Sequence, residues 1–466
     1  MLRKKAAMNK KITCLCIGMM IITMIYGGGV VYYLHHFYPG TRIQGVPVSQ
    51  KLASKLEKDM TEELQSYRLR IQFKGQVEDT LGGEQLGLSY ASHGEILALK
   101  QKQNPFLWPI IILKRTSYNY RITMDYKEEQ LRDLLSNMKQ DQIPSKDAYI
   151  EKKGGIFFII AQVEGNEIDL EKTMSKMKQA VEEGRTFLDL SSCDCYLTPR
   201  IYEDDPDLVA KTERLNQATQ MKIVYDFGDR TEELNGKTIY EWISIGELNT
   251  IHLDTEKIRA YVEQLGSKYD TFGSTREFTT SGGKKIRISG GDYGWLIHRA
   301  GETAALEGLI LEAKSQQGRV PLYTYTGYHR EKDDIGDTYV EINYTRQRMW
   351  FYKEGQLLVD TPIVTGNTRK GYSSPQGIFP IVYKEKDAVL RGEDYESYVT
   401  YWMPFYRNFG IHDAPWRSEF GGDIYQNRGS HGCINTPEQA AKTIFDEIEP
   451  GVPVVAYDES LVEIID

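Results

Sequence analysis

Ser430-His431-Gly432-Cys433-Ile434-Asn435, followed by Thr436-Pro437-Glu438-Gln439, is the stretch around which the 466-residue chain reads as organised. It holds the only cysteine in the C-terminal half of the sequence. A second histidine, His412, stands upstream in Gly410-Ile411-His412-Asp413-Ala414-Pro415-Trp416. One thiol accompanied by two histidines points to acyl transfer through a thioester. The thiolate is the nucleophile, a free thiol of pKa ~8.5 is largely protonated at neutral pH, and a nearby imidazole can take the proton.

The residues after the cysteine predict an activated thiol. Thr436 reads as an N-cap, Pro437 as the first helical residue and Gln439 as the reciprocal partner of a capping box. Ala441, Ile444, Phe445 and Ile448 recur at helical spacing, and Pro450-Gly451 ends the helix. Cys433 is therefore expected just before a helix N-terminus, whose partial positive charge favours a thiolate if the loop folds back to it. Gly432 lets the backbone approach a substrate, and the amides of Gly432 and Cys433 are candidate donors to an oxyanion.

His412 followed by Ser430-His431-Gly432-Cys433-Ile434-Asn435 resembles the signature of the L,D-transpeptidases, YkuD-type enzymes that cross-link peptidoglycan. That signature is a histidine, a gap of about this length, Ser or Thr, then His-Gly-Cys, a hydrophobic residue and Asn or Arg. The resemblance extends over roughly 337–458. It takes in Thr365-Gly366 and Ser374-Pro375-Gln376-Gly377, where the family usually shows Thr-Pro-x-Gly.

The resemblance implies that Cys433 attacks the carbonyl of the third residue of a tetrapeptide stem. The terminal D-alanine leaves, and an amine on a neighbouring stem resolves the thioester. It also implies that carbapenem-type β-lactams acylate the same sulfur. His412 is the expected general base, in which case acylation titrates near neutrality. His431 is read as a shaper of the site and a substrate contact, and Ser430 as bonded to His412 or to the loop. Asn435 offers amide groups to a peptide backbone. Trp416 packs either against the acyl stem or in the core. If 409–413 is a strand, His412 and Asp413 point to opposite faces, so a backbone carbonyl is the expected orienter, with the Asp413 carboxylate as the alternative. Cys433, His431 and His412 are three conceivable metal ligands. No companion CxxC or HxxxH accompanies them, so neither a metal nor an organic cofactor is expected, and a structural thiol is the other reading.

Composition narrows the class. Lys plus Arg number 57 against 66 Asp plus Glu, a net charge of −9, which argues against nucleic acid as a partner. Residues Ile12 to Leu34 carry no charged side chain, and as a helix they extend about 34 Å, enough for a hydrocarbon core of about 30 Å. Arg3, Lys4, Lys5, Lys10 and Lys11 precede them, so 1–11 is expected in the cytoplasm, 12–34 as a single-span anchor, and the rest facing the cell wall. A cleaved signal peptide is the rival. Cys14 and Cys16 lie in the anchor. In a strand Cys193 and Cys195 would share one face; they read as structural thiols, with a local disulfide or metal site as alternatives.

Leu52, Leu56, Met60 and Leu64 predict a helix, and Tyr67, Leu69, Ile71 and Phe73 a half-buried strand. This region is similar to the start of a peptidoglycan-binding domain often found ahead of transpeptidase domains. A helix bearing Met174, Met177 and Val181, then Gly184-Arg185, then a strand, is echoed by a helix bearing Leu306, Leu309 and Ile310, then Gly318-Arg319, then a strand. Two related α+β domains, 36–200 and 201–331, are therefore expected, binding wall or acting as a stalk. The charged stretch 331–336 reads as a linker to a mostly-β catalytic domain at 337–466, sandwich-like by resemblance. The fold class expected is thus multidomain: a transmembrane helix, two α+β domains and that domain. Within it, Lys384 to Asn408 carries Tyr395, Tyr398, Tyr401, Trp402, Phe405 and Tyr406. It reads as a lid, with Tyr401 and Trp402 as candidate substrate contacts, or as an Ω-like loop packed by its own aromatics. An L,D-carboxypeptidase, with water as acceptor, and a non-catalytic wall-binding scaffold remain alternatives.

Overall fold

The computed structural model describes the chain except residues 1, 44–45, 76, 91–93, 119–123, 138–142, 393–395 and 466, and the side chains of 2–7. Tyr395 lies outside the described residues. By its internal contacts the chain divides into two compact units: 1–148 with 161–202, and 149–160 with 203–466.

The first unit opens with α1 (Leu2–His35). Met8–His35 is long and apolar enough to cross a membrane, with a mean hydropathy of 2.1 over its apolar stretch, a property shared by anchors and signal sequences. Helix Ala53–Ser66 follows, as its apolar spacing predicts. Strand Arg68–Gln72 pairs antiparallel with Glu78–Gly82 and parallel with Phe187–Asp189. Met174, Met177 and Val181 on helix Leu170–Glu182 pack against Leu69, Ile71 and Leu81 of that sheet. Cys193 and Cys195 are both free thiols, and Cys195 is buried in this core.

The second unit repeats the order. After helix Pro206–Ala218, strand Lys222–Asp226 pairs antiparallel with Thr231–Asn235 and parallel with Gln316–Arg319, which follows helix Arg299–Leu311. Gly318-Arg319 therefore lies inside the pairing strand rather than before it. The hairpin Tyr149–Lys153 with Ile156–Ile160 falls within 36–200, yet it belongs to this unit. Its Phe157 N–H donates to Asn216 and its Ile150 N–H to Asn249.

The C-terminal part of this unit is a two-sheet sandwich. Its strands are β1 (Tyr339–Asn343), β2 (Arg348–Lys353), β3 (Gln356–Pro362), β4 (Gly377–Pro380), β5 (Glu385–Arg391), β6 (Glu396–Tyr406), β7 (Phe409–Asp413), β8 (Ile434–Thr436) and β9 (Pro453–Tyr457). One sheet runs β3-β2-β1-β9-β4 and the other β5-β6-β7-β8. Val340, Ile342, Phe351 and Val454 of the first meet Met403, Phe405, Ile411 and Ile434 of the second, with Ala441 and Ile444 of α2 (Glu438–Glu447). Strand β9 is buried on both faces. Val454 and Ala456 face the sandwich, while Val455 and Tyr457 pack with Phe278, Ile286 and Ile288. Strand Lys285–Ile288 also pairs with Glu463–Ile465. These contacts tie the residues expected as a separate 201–331 domain to those at 337–466.

Thr436 is not a helix cap. It sits in β8, paired with Asp413 in a parallel ladder, and its hydroxyl donates to the Ile434 carbonyl. Pro437 takes the cap position of α2 without a side-chain bond. Strand pairing holds Thr436 extended, so the capping box does not form and Cys433 is separated from α2 by a strand.

Candidate active site

The second sheet sets the site. In its ladders Trp402 on β6 is opposite His412 on β7, and His412 is level with Asn435 on β8. These three side chains share one face, because residues in register across a sheet point the same way. Their neighbours Met403, Ile411 and Ile434 point into the core. Tyr401 does too: its ring packs against Phe445 of α2, and it does not line the cleft.

Cys433 precedes β8 and is buried with Ala388, Val399 and Trp402. These belong to the paired strands β5 and β6, so the described residues of 384–408 form a two-stranded cover rather than an irregular loop. His412, Trp416, Ser430, His431, Cys433 and Asn435 all line one cleft of about 210 Å³, with Leu390 and Ser397 from the hairpin. Trp416 is exposed at its rim, its ring 5.9 Å from that of His412. His431 is exposed, its ring 4.7 Å from that of Tyr372.

His412 is fully oriented by its own strand. Its Nδ1 donates to the main-chain oxygen of Asp413 at 2.6 Å. The Asp413 carboxylate instead accepts from the Tyr401 N–H at 2.8 Å. The Asn435 amide is satisfied when its nitrogen faces His412 Nε2 at 3.2 Å and its oxygen accepts from Arg417 Nε at 2.6 Å. Burial pulls the His412 pKa down to about 4; the Asp413 carbonyl and carboxylate oppose that, and Arg417 adds to it. Burial likewise pushes the Cys433 thiol up to about 11, against the lowering effect of the Gly410 amide. The pair therefore rests as neutral thiol and neutral imidazole. This replaces both the helix-activated thiolate and the titration near neutrality expected from the sequence.

The loop is braced from within and from the first sheet. Ser430 Oγ donates to the Cys433 carbonyl at 2.5 Å and accepts from the Gly432 N–H at 3.0 Å. Of the two amides expected to serve an oxyanion, that of Gly432 is thus already used. Gly432 has φ +118°, and any Cβ there would collide with the Phe409 ring. Ser374, in the Ser-Pro-Gln-Gly segment, donates to the Gly432 carbonyl at 2.7 Å and accepts from Gly366 N–H at 3.1 Å. The Cys433 thiol itself points at the Asn408 carbonyl, 3.5 Å away. Arg417, Ser374 and Asn408 were not singled out as site residues from sequence. Only Ser374 had a signal, its place in the Ser-Pro-Gln-Gly motif. Among the described residues no cluster of side chains is suited to hold a metal ion.

Two family models match the chain. The YkuD model, the L,D-transpeptidase catalytic domain, matches residues 337–455. A peptidoglycan binding domain model matches residues 83–189. No curated protein matches. Among solved structures, a cysteine-to-serine mutant of an Enterococcus faecium L,D-transpeptidase is 35% identical, covering 53% of this chain and 98% of that one, with a TM-score of 0.46. The avibactam carbamoyl enzyme of Ldtfm is also 35% identical, covering 54% of this chain and 98% of that one, with a TM-score of 0.47. The catalytic domain of the E. faecium L,D-transpeptidase acylated by ertapenem is 45% identical, covering 26% of this chain and 97% of that one, with a TM-score of 0.24. A sandwich that closes a thiol and an imidazole in one cleft fits the catalytic module those comparisons identify. The chain belongs to the L,D-transpeptidases with a YkuD-type catalytic domain and an N-terminal peptidoglycan-binding domain.

Proposed function

We propose that the chain is a membrane-anchored L,D-transpeptidase acting on the wall side of the membrane through a Cys433 thioester. The observation that carries this reading is the shared cleft of Cys433 and His412, with Nδ1 of His412 committed to the Asp413 carbonyl so that Nε2 is the basic atom. A tetrapeptide stem enters with its third carbonyl at Cys433. The thiol proton passes to His412 as sulfur attacks, and the tetrahedral oxyanion is received by the Cys433 amide, the one that Ser430 does not occupy. Collapse breaks the bond to the terminal D-alanine, whose amine takes the proton from His412. An amine of a second stem then gives its proton to His412 and attacks the thioester; the carbon–sulfur bond breaks as the cross-link between third residues forms, and His412 returns the proton to the Cys433 sulfur. The atoms balance with no metal or organic cofactor.

Asn435 holds the basic edge of His412, and His431 and Trp416 flank the entry where a stem peptide would lie. Trp402 closes the site over the sulfur. The resemblance supports a wall-binding domain within residues 36–200, to which the hairpin at 149–160 does not belong, and a catalytic one at 337–466; the repeated helix–strand order supports 201–331 as a second related domain, packed with the catalytic one in a single unit. The ertapenem and avibactam adducts of the relatives support carbapenem-type β-lactams as covalent inhibitors here. The apolar helix supports an anchor, and Arg3, Lys4, Lys5, Lys10 and Lys11 ahead of it support a cytoplasmic N-terminus.

The test is mass spectrometry of muropeptides after incubating the purified protein with disaccharide-tetrapeptide. Cross-linked dimers short of one D-alanine are expected. Tripeptide alone would reassign the protein as an L,D-carboxypeptidase, and unchanged substrate would leave a wall-binding scaffold.

A further inference from the structure

Residues Asn104–Leu113 carry Pro105, Phe106, Leu107, Trp108, Pro109 and three isoleucines, ending in a leucine. They form a short helical turn, Pro105–Leu107, continuous with helix Trp108–Ile111. Phe106, Ile110 and Leu113 are 60%, 66% and 89% exposed, an unusual density of bare apolar surface over the short helix and the turn that follows it.

The segment is fixed against α1. The Trp108 indole N–H donates to the Tyr26 carbonyl at 3.2 Å, and the Tyr26 hydroxyl donates to the Phe106 carbonyl at 3.0 Å. The Trp108 ring occupies the space that a Cβ on Gly29 would need, and it tilts against Tyr33 at 5.8 Å. Tyr26 to Tyr33 form the C-terminal third of the uncharged run, so a span through a ~30 Å hydrocarbon core puts them in its outer part.

The local backbone suits lipid. Pro105 and Pro109 have no N–H to satisfy. Asn104 caps the Phe106 N–H, and the Leu107, Ile112 and Lys114 amides all find carbonyls within the segment. Buried in hydrocarbon, such a turn leaves few donors unpaired. Exposed Lys102, Lys114 and Arg115 flank it, at the positions where cations meet headgroups.

We propose that Asn104–Leu113 is a second membrane contact, an interfacial wedge that inserts Phe106, Leu107, Ile110 and Leu113 into the outer leaflet beside α1. The inference rests on α1 spanning the bilayer. One helix alone can swivel and tilt; a wedge fixed to it holds the first unit at a set height on the membrane.

Trp108 is the only tryptophan before Trp242, which makes it a reporter. The full chain is reconstituted into phosphatidylcholine vesicles brominated near the headgroup end of the acyl chains, and into a parallel set brominated near the bilayer centre. Shallow bromine should remove emission worth about one tryptophan in six, and Trp108→Phe should abolish that loss. Ile110→Trp, at an exposed position that disturbs no buried contact, should double it. Ile22→Trp in the Trp108→Phe background reports on α1 and should be quenched by deep bromine. If Ile22→Trp is quenched but Trp108 and Ile110→Trp are not, the wedge is overturned while the anchor stands. If Ile22→Trp escapes as well, the anchor itself has failed.

Discussion

His412 gives its Nδ1 proton to the carbonyl of the residue that follows it, Asp413, across 2.6 Å. A carbonyl only accepts, so the tautomer is fixed and Nε2 carries the lone pair. The imidazole is oriented by the backbone of its own strand. The Asp413 carboxylate lies on the other face, bonded to the Tyr401 amide.

Asp413→Asn keeps an oxygen for the Tyr401 amide and leaves the carbonyl in place. Its rate of acylation by a carbapenem should stay within a few-fold of the parent, whereas His412→Gln should lose roughly 10²–10⁴-fold. Mass-resolved acylation time courses compare them. A loss in Asp413→Asn as deep as in His412→Gln would return the carboxylate to the role of orienter.

The resting pair is neutral over a wide range, since His412 takes a proton only near pH 4 and Cys433 releases one only near 11. Acylation should therefore be level from about pH 5 to 9, falling on the acid side as His412 is protonated. A profile with an inflection near pH 6.5 would contradict the buried, neutral pair.

Stability carries the same signature. The folded pKa of His412 lies below its ordinary 6.5, so its contribution is complete above pH 6.5 and lost as pH falls towards 4. The loss is on the order of 3 kcal/mol. Urea titrations at pH 7 and pH 4 should show it, and His412→Gln should narrow the gap. An equal gap in both proteins would place the acid sensitivity elsewhere.

Ser430 serves the Gly432 amide and the Cys433 carbonyl together. Ser430→Ala strands both in a buried loop and should cost about 1–3 kcal/mol. Acylation should slow with it, and Ser430→Thr should restore both. Calorimetry alongside acylation rates checks this; a fully active, fully stable Ser430→Ala would mean the loop holds itself.

Trp402 and Val399 cover the Cys433 sulfur. Trp402→Ala should let water in and bring the thiol pKa down towards its ordinary value. Alkylation by iodoacetamide at pH 8 should then quicken, even as carbapenem acylation slows. Unchanged alkylation would show that the hairpin does not shield the sulfur.

Much of the site was legible because its residues lie close in sequence. His412 and the Ser430–Asn435 loop meet through one parallel ladder, and alternation along β7 already separated His412 from Asp413. What escaped depends on distant partners. Thr436 carries a sound local cap signal, but pairing with Asp413 overrides it. The thiol pKa could not be read from a nearby helix, because the β5–β6 hairpin supplies the burial. Tyr401 and Trp402 are adjacent in a strand, so the sheet had to send one of them to the core. Helix spacing and the repeated helix–strand pattern were readable in both halves, since each depends on a short apolar period. The hairpin at 149–160 was not, because nothing in its composition says which core it joins.

Strand β9 lies inside its sheet, between β1 and the edge strand β4. During synthesis β1, β2 and β3 can meander together at once, and Ile378 of β4 can bond to Gly290 and Tyr293, but the other edge of β4 has no partner until β9 arrives. The chain must first deliver the hairpin, the histidine strand and the cysteine loop. The sandwich thus closes late, around the Gly377 and Phe379 edge of β4 left open in the meantime. Non-local closure of this kind is slow and leaves the waiting edge prone to pairing with other chains. A nascent chain stalled before Pro453 would be the species for a chaperone or a protease to find.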